Sequence, residues 1–510
     1  MSLFKSAKKV LLVVLDGFGI NETSQKNAVK DANTPHLDKL FTSSPFKLLE
    51  PGGVHVGLPE GIQGNSEVGH LNLGAGRPVR QDLVRINEAI LKNTFKDQPE
   101  FKKLVTQCQK GNKRLHLLGL LSDGGVHSHL DHILHVAKIL ATTDLEVYFH
   151  AFMDGRDTPK TNGVKYLTEI LKLEKVKLAS IQGRSFGMDR DRRWPKIELA
   201  YKMMIGKNDC SELEPIKYLK QQYSLDIFDE FIPPQLFLKE GAIKNQDAVF
   251  FLNFRPDRTK QLSLALMQPT FKEFKTEIKL SHFLCMTPYF EPEEISLPIL
   301  FDKEKIKGGL SEFLSKQGIK QYKIAETEKY AHVTYFFNGG EEKAFPGEDR
   351  KLIPSPREVK TYDEKPEMSA HEVYQNLSTA IKSPQYQFLF VNFANSDMVG
   401  HTGNYPAAIK AVECLDEIVG KLMDDCIQNK TVMLLTADHG NSDEMAYPDG
   451  SPHTAHSKAP VPCVLWGENI HKDKITVMKE TAALKDVAPT IVHLLGLEKP
   501  AEFTGNSIFI

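Results

Sequence analysis

Three aspartates in this 510-residue chain stand where an apolar run gives way to a polar loop. Asp16 closes the run VLLVVL, Asp397 comes shortly after FLFVNF, and Asp438 follows TVMLLTA. Histidines accompany them: His401 lies four residues after Asp397, His439 adjoins Asp438, and His453 and His456 share the segment Ser-Pro-His-Thr-Ala-His-Ser. A single strand-end aspartate is as readily a helix cap as a ligand. Three of them with nearby histidines are hard to explain as capping. Mixed Asp and His donors suit Mn²⁺, Zn²⁺ or Co²⁺ better than an all-oxygen Ca²⁺ cage. Asp16, Asp397, His401, Asp438, His439 and His456 are more than one tetrahedral ion takes. They are enough for two ions about 4 Å apart, which clamp the oxygens of an in-line phosphoryl displacement. If residues 397–401 enter a helix, Asp397 and His401 share a face.

Ser66 lies in Gly64-Asn-Ser-Glu-Val-Gly-His70, a sequence that reads as a tight turn entering a helix. It has two readings. One is an N-cap. The other is a nucleophile whose alkoxide a metal stabilises, help that serine needs because its free pKa is far too high.

The elements that must hold these residues are short apolar runs, each emptying into a Gly-rich polar loop. Beyond the three runs above, LHLLGLL leads into Ser-Asp-Gly-Gly-Val-His at 122–127, and EVYFHAFM into Asp-Gly-Arg-Asp at 154–157. VKLASIQ leads into 183–190, and AVFFLNF into Arg-Pro-Asp-Arg at 255–258. Such runs suit strands buried on both faces of a sheet. Val10–Leu15 is too short for a secretion signal or a membrane span and is read as a strand. Segments of helical period, such as Leu130–Ala141 and Ala407–Cys426, lie between the runs. The expectation is α/β with two domains and largely parallel sheets, in which ligands gather at the carboxyl ends of the strands. One domain is discontinuous, residues 1–80 with 309–510, and the other, 81–308, is inserted. The junctions are expected near Gly76–Asp82 and Lys305–Gly309.

Together the motifs resemble one family, the cofactor-independent (2,3-bisphosphoglycerate-independent) phosphoglycerate mutases of the alkaline phosphatase-like superfamily. The matching stretches include Leu15-Asp-Gly-Phe-Gly19, Gly64 to Arg77, Ser122 to His129, Asp154-Gly-Arg-Asp-Thr-Pro159, Met188-Asp-Arg-Asp191, Asn253 to Arg258, Glu326 to Thr334 and Pro346 to Arg350. The resemblance implies an alkaline phosphatase-like domain with an inserted transferase domain. It implies that Asp397, His401 and His456 hold one metal, and Asp16, Ser66, Asp438 and His439 the other. The metal is Mn²⁺ in most members and Co²⁺ or Mg²⁺ in some. It implies interconversion of 3-phosphoglycerate and 2-phosphoglycerate through a phosphoserine at Ser66. Substrate would be gripped by His127, Arg156, Asp157, Arg184, Arg190, Arg255, Arg258 and Lys329, with Asp157 as general acid and base and Lys329, outside the insert, as a catalytic cation that stabilises the phosphoryl group in transfer. Arginine forks suit a substrate that carries a phosphate and a carboxylate. Closure of the two domains would keep water from the phosphoserine.

The chain departs from the common pattern at Ser396, where proline is usual, and at Lys160, Ser185-Phe186 and Ala459. Ser396 would loosen the turn that aims Asp397, because no proline fixes φ there. One rival reading is a phosphatase of the same superfamily, which leaves the Arg- and His-rich insert unexplained. Another is a non-catalytic binding protein, which would be expected to lack Ser66 or a ligand. The formal net charge of −2 gives no bulk signature for nucleic acid or membrane. Six scattered cysteines without a C-x-x-C pair point to a reducing cytoplasm. The family resemblance adds a small-molecule substrate and a monomer.

Overall fold

The computed structural model describes residues 7–291, 293–303 and 306–510. Its strands, in chain order, are β1 (Val10–Leu15), β2 (Phe46–Glu50), β3 (Arg114–Leu121), β4 (Glu146–Met153), β5 (Val176–Gly183), β6 (Gln235–Leu236) and β7 (Ala248–Phe251), followed by β8 (His282–Cys285), β9 (Gln321–Glu326), β10 (Glu348–Ile353), β11 (Phe388–Phe393), β12 (Val432–Thr436), β13 (Val461–Trp466) and β14 (Ala482–Ala483). The chain divides into two compact units, Met1–Gln81 with Lys305–Ile510, and Asp82–Glu304. Of the expected second junction, Lys305 lies outside the described residues.

The first unit holds an eight-stranded sheet of order β10-β9-β11-β1-β12-β13-β2-β14. β1 is central, parallel to both β11 and β12. All six of its residues are buried, and each such Val or Leu contributes about 1.5–3 kcal/mol. Burial on both faces is why the strand reads as a continuous apolar run rather than an alternating one. The register sets Leu15 opposite Phe393 and Val14 opposite Thr436. The residues that follow these strands therefore emerge side by side. β13 and β2 pair antiparallel, a departure from an all-parallel sheet.

The second unit holds a six-stranded sheet of order β6-β5-β4-β3-β7-β8, parallel except at β6. β3 shows how it is packed. Leu115 and Leu117 join one buried cluster and Leu118 and Leu120 another, so alternate residues serve opposite faces. The run AVFFLNF stops being strand at Phe251 because the Asn253 side chain takes over the pairing, its Oδ1 accepting from the Leu120 N–H at 2.9 Å. The two expected helices are observed at Leu130–Leu140 and Tyr405–Gln428, the second capped by Asn404, whose side chain accepts from the Ala407 N–H. Among the described residues, no helix is long and apolar enough to cross a membrane.

Candidate metal centre

Four neighbouring parallel strands of the first unit deliver side chains to one place. Asp16 directly follows β1, and Asp438 and His439 come just after β12. β11 leads into the short helix Asn395–Gly400, which carries Asp397. The His401 N–H donates to the Asp397 carbonyl at 3.0 Å, so the four-residue spacing does put both on one face. β9 leads into the helix Thr327–Ala331, which carries Lys329. Gly17 takes φ +73°, and a Cβ there would lie 2.7 Å from the Asp397 Cα. Only glycine lets these two strand ends approach so closely.

Ser66 is the first residue of the helix Ser66–Ala75, but it does not cap it: the Asn65 side chain accepts from the Val68 N–H at 3.0 Å. The Ser66 hydroxyl is left for other work. Its Oγ lies 2.9 Å from His439 Nε2, 3.2 Å from Asp16 Oδ1 and 2.8 Å from Lys329 Nζ. Lys329 Nζ also donates to Asp16 Oδ1 and to Asp397 Oδ2, each at 2.7 Å. Beside it, His401 Nε2 and His456 Nε2 lie 3.2 and 3.4 Å from Asp397 Oδ1. The rings of His439 and His456 stack at 3.8 Å, so His439 touches both groups of ligands.

The donor set fits divalent cations. Three buried carboxylates, Asp16, Asp397 and Asp438, face one buried ammonium. Burial, and after it the Asp438 charge, push Asp16 above the usual carboxylate range. Burial works the same way on Asp397 and Asp438. There it is outweighed, by Lys329 and the hydrogen bonds of His401 and His456 for Asp397, and by His439 and His70 for Asp438, so both sit low. The nearest donor to buried Asp438 Oδ2 is His70 Nδ1 at 3.3 Å, which is also shared with the Ser66 carbonyl at 2.9 Å, so this oxygen keeps a lone pair for another partner. Ligand atoms gather within 4.8 Å in two groups, Asp397 with His439 and His456, and Asp16 with His70 and Asp438.

In the second unit, the expected substrate residues cluster at the carboxyl ends of β3, β4, β5 and β7. Arg184 is buried, and its guanidinium donates at 2.6 Å to both Asp154 Oδ1 and Asp157 Oδ2. Its Nε has no partner. Asp257 gathers three cationic or ring groups. Arg190 donates to it at 2.7 Å, Arg255 Nε lies at 3.3 Å and His127 Nδ1 at 3.5 Å. Burial, then the Arg184 charge, lower His127 to about 4, so its imidazole is neutral near pH 7. Burial and the Arg184 and Arg190 charges also lower Arg258. Such an accumulation of positive charge around a neutral donor suits an anionic ligand. Lys329, as its place in the chain requires, belongs to the first unit, in the candidate metal centre.

Residues 8–499 match the Metalloenzyme superfamily. Over 516 aligned residues, 99% of this chain and 99% of the other, the chain is 44% identical to a 2,3-bisphosphoglycerate-independent phosphoglycerate mutase of Clostridium beijerinckii. It is also 44% identical, over 514 residues and 98% of its length, to the protein of that name from Myxococcus xanthus, 99% of which is covered. The chain belongs to the 2,3-bisphosphoglycerate-independent phosphoglycerate mutases. A crystal structure of Leishmania mexicana phosphoglycerate mutase, determined at low cobalt concentration, matches with a TM-score of 0.71 and 30% identity, covering 100% of this chain and 99% of that one.

For a mutase of this family, several neighbours of the site escaped sequence reasoning. His70 Nδ1 lies 3.3 Å from Asp438 Oδ2. Asn392 donates to Asp16 Oδ2 at 2.7 Å, and Asn441 to Asp397 Oδ1 at 2.8 Å. Asn392 did leave a signal: it is the one polar residue of FLFVNF, and a polar side chain in a buried central strand needs a partner. Asp154 and Asp257, which orient the arginines, fell within quoted motifs without being assigned. His453 stays out of the centre; its ring meets the Glu444 carbonyl and Tyr447.

Proposed function

We infer that this chain, a metal-dependent isomerase interconverting 3-phosphoglycerate and 2-phosphoglycerate without 2,3-bisphosphoglycerate, works through a phosphoserine at Ser66 beside two divalent ions. Mn²⁺ is the metal the reading favours, with Co²⁺ or Mg²⁺ as alternatives. The observation that carries it is the surroundings of Ser66 Oγ, within 3.2 Å of Asp16, His439 and Lys329 at the start of a helix capped by its neighbour. Asp397, His401 and His456 would hold one ion, and Asp16, Ser66, Asp438 and His439 the other. When bound, such ions stabilise the serine alkoxide and the charge on the phosphoryl oxygens.

The rest is work for the chain's own residues. Ser66 enters as the alkoxide that bound cations would stabilise, its proton lost when they bind, and Asp157 enters as the acid. Ser66 Oγ attacks phosphorus, the bond to the 3-oxygen of glycerate breaks, and Asp157 gives that oxygen its proton. Glycerate reorients, Asp157 takes the proton of the 2-hydroxyl, and the 2-oxygen takes the phosphoryl group back. Lys329 Nζ and the helix N-terminus steady the negative charge near Ser66 throughout. His127, Arg156, Arg184, Arg190, Arg255 and Arg258 bind the anionic substrate. The six cysteines, all free, support a cytoplasmic setting, and we take the enzyme to act as a monomer.

Ser66→Ala is expected to lower turnover by about four orders of magnitude or more while calorimetry still shows the ion held by Asp397, His401 and His456. Undiminished turnover would exclude a phosphoserine. Free phosphate released from 3-phosphoglycerate without 2-phosphoglycerate would make the chain a phosphatase instead.

A further inference from the structure

One short segment of the second unit braces the loop that carries Arg156 and Asp157. It is Phe228–Asp229–Glu230, entering the single 3-10 turn Asp229–Phe231. Buried Asp229 accepts from the Gly163 N–H at 2.7 Å through Oδ2 and from the Tyr223 hydroxyl through Oδ1. Its own N–H donates to the Lys160 carbonyl at 3.0 Å. The Lys160 ammonium sits 3.7 Å from the centre of the Phe228 ring, a contact that a proline at 160 would not make. Glu230 Oε1 accepts from the Arg156 guanidinium at 3.4 Å. Where the loop leaves β4 there is no space for a side chain: a Cβ on Gly155 would lie 2.8 Å from the Glu230 nitrogen. On its other flank the segment touches β5, whose Gly183 N–H donates to the Ile232 carbonyl at 2.7 Å just before Arg184.

Arg156 is 57% exposed, so in the absence of a partner its long side chain would sample many rotamers. Glu230 is only 21% exposed and is carried on a backbone fixed by buried Asp229. We propose that Phe228–Asp229–Glu230 is a positioning segment that aims Arg156, and that Glu230 thereby governs how well this arginine meets the anionic substrate. This rests on the assignment of Arg156 to substrate binding. The guanidinium has five donors and spends one on Glu230, leaving an edge free for a carboxylate or phosphate. Holding one rotamer-rich side chain in place is a small gain, so the effect belongs in substrate affinity and is modest.

The test is steady-state kinetics on the metal-loaded full chain, comparing Glu230→Gln, Arg156→Ala and the double variant. Glu230→Gln preserves shape at a partly exposed position. It is expected to raise KM for 3-phosphoglycerate roughly threefold to tenfold with kcat within about twofold, and to add nothing once Arg156 is gone. If Arg156→Ala raises KM but Glu230→Gln leaves or lowers it, the positioning role is overturned while the substrate assignment stands. A Glu230→Gln effect of equal size in both backgrounds also overturns it, because Glu230 then does not act through Arg156. If Arg156→Ala leaves KM unchanged, the substrate assignment itself falls, and the positioning role with it.

Discussion

Ser66 and Ser396 show how much a single hydroxyl can settle. Ser66 would be unremarkable as a helix cap, since serine caps well, and sequence alone leaves cap and nucleophile both open. The structure gives the cap to Asn65 and turns Ser66 towards Lys329, Asp16 and His439. Ser396, expected to loosen the turn that aims Asp397, instead ties it down. Its hydroxyl donates to the Gly17 carbonyl at 3.2 Å, and its carbonyl accepts from the Ser442 hydroxyl at 2.5 Å. Hydrogen bonds do here what a fixed φ does with proline. Ser396→Ala is therefore expected to weaken metal affinity by about twofold to tenfold, the worth of one such bond, read by isothermal calorimetry. An affinity unchanged within error would mean that the Asp397 turn is held without it. The carboxylates and imidazoles of the centre were legible in the sequence because Asp and His at strand ends are few and chemically distinctive. His70 was not, because a histidine inside a helix looks the same whether it packs or supports a ligand.

The element that delivers Lys329 carries a second buried acid. Glu326 ends β9 and precedes the helix Thr327–Ala331. Burial raises it from 4.5 to about 7, and one of its oxygens has no partner. A carboxyl whose folded value lies above its unfolded one stabilises fully below the unfolded value, about 4.5, and loses that contribution as pH rises through about 7. Glu326→Gln is therefore expected to flatten the pH dependence of urea unfolding across this window and to gain on the order of 3 kcal/mol above it. A parallel pair of pH profiles for the two proteins would show that Glu326 is ionised in the fold. Elements such as β1, β4 and β11 were legible end to end, since a strand buried on both faces has few polar positions to blur it, Asn392 in β11 and His150 in β4 among them. β10 was not: EDRKLI is an edge strand with four charged residues. β13 contains Pro462 and runs antiparallel, and strand direction leaves no local mark in the residues. β7 ended early because a side chain, Asn253, finished its pairing.

At the scale of the molecule, each compact unit has its own buried apolar clusters, and metal chemistry concerns one of them. Without cations the first unit encloses three carboxylates against one ammonium, so ions that bind the folded state stabilise that unit by mass action. Chelation is expected to raise deuterium uptake in β1, β11 and β12 and to leave β3, β4 and β5 unchanged. A uniform rise across both sheets would show that the units unfold together. The place of β1 also has a consequence for biosynthesis. Its hydrogen-bonding partners are Phe388–Phe393 on one side and Val432–Thr436 on the other. At about 5–20 residues per second, a ribosome needs roughly 20–80 s between making β1 and making them. Asp82–Glu304, being continuous, can complete its own sheet during that interval. VLLVVL meanwhile waits with both edges unpaired and only early apolar residues such as Leu37, Leu40 and Leu49 to pack against, so the central strand of the finished enzyme is, during translation, a segment in need of a chaperone.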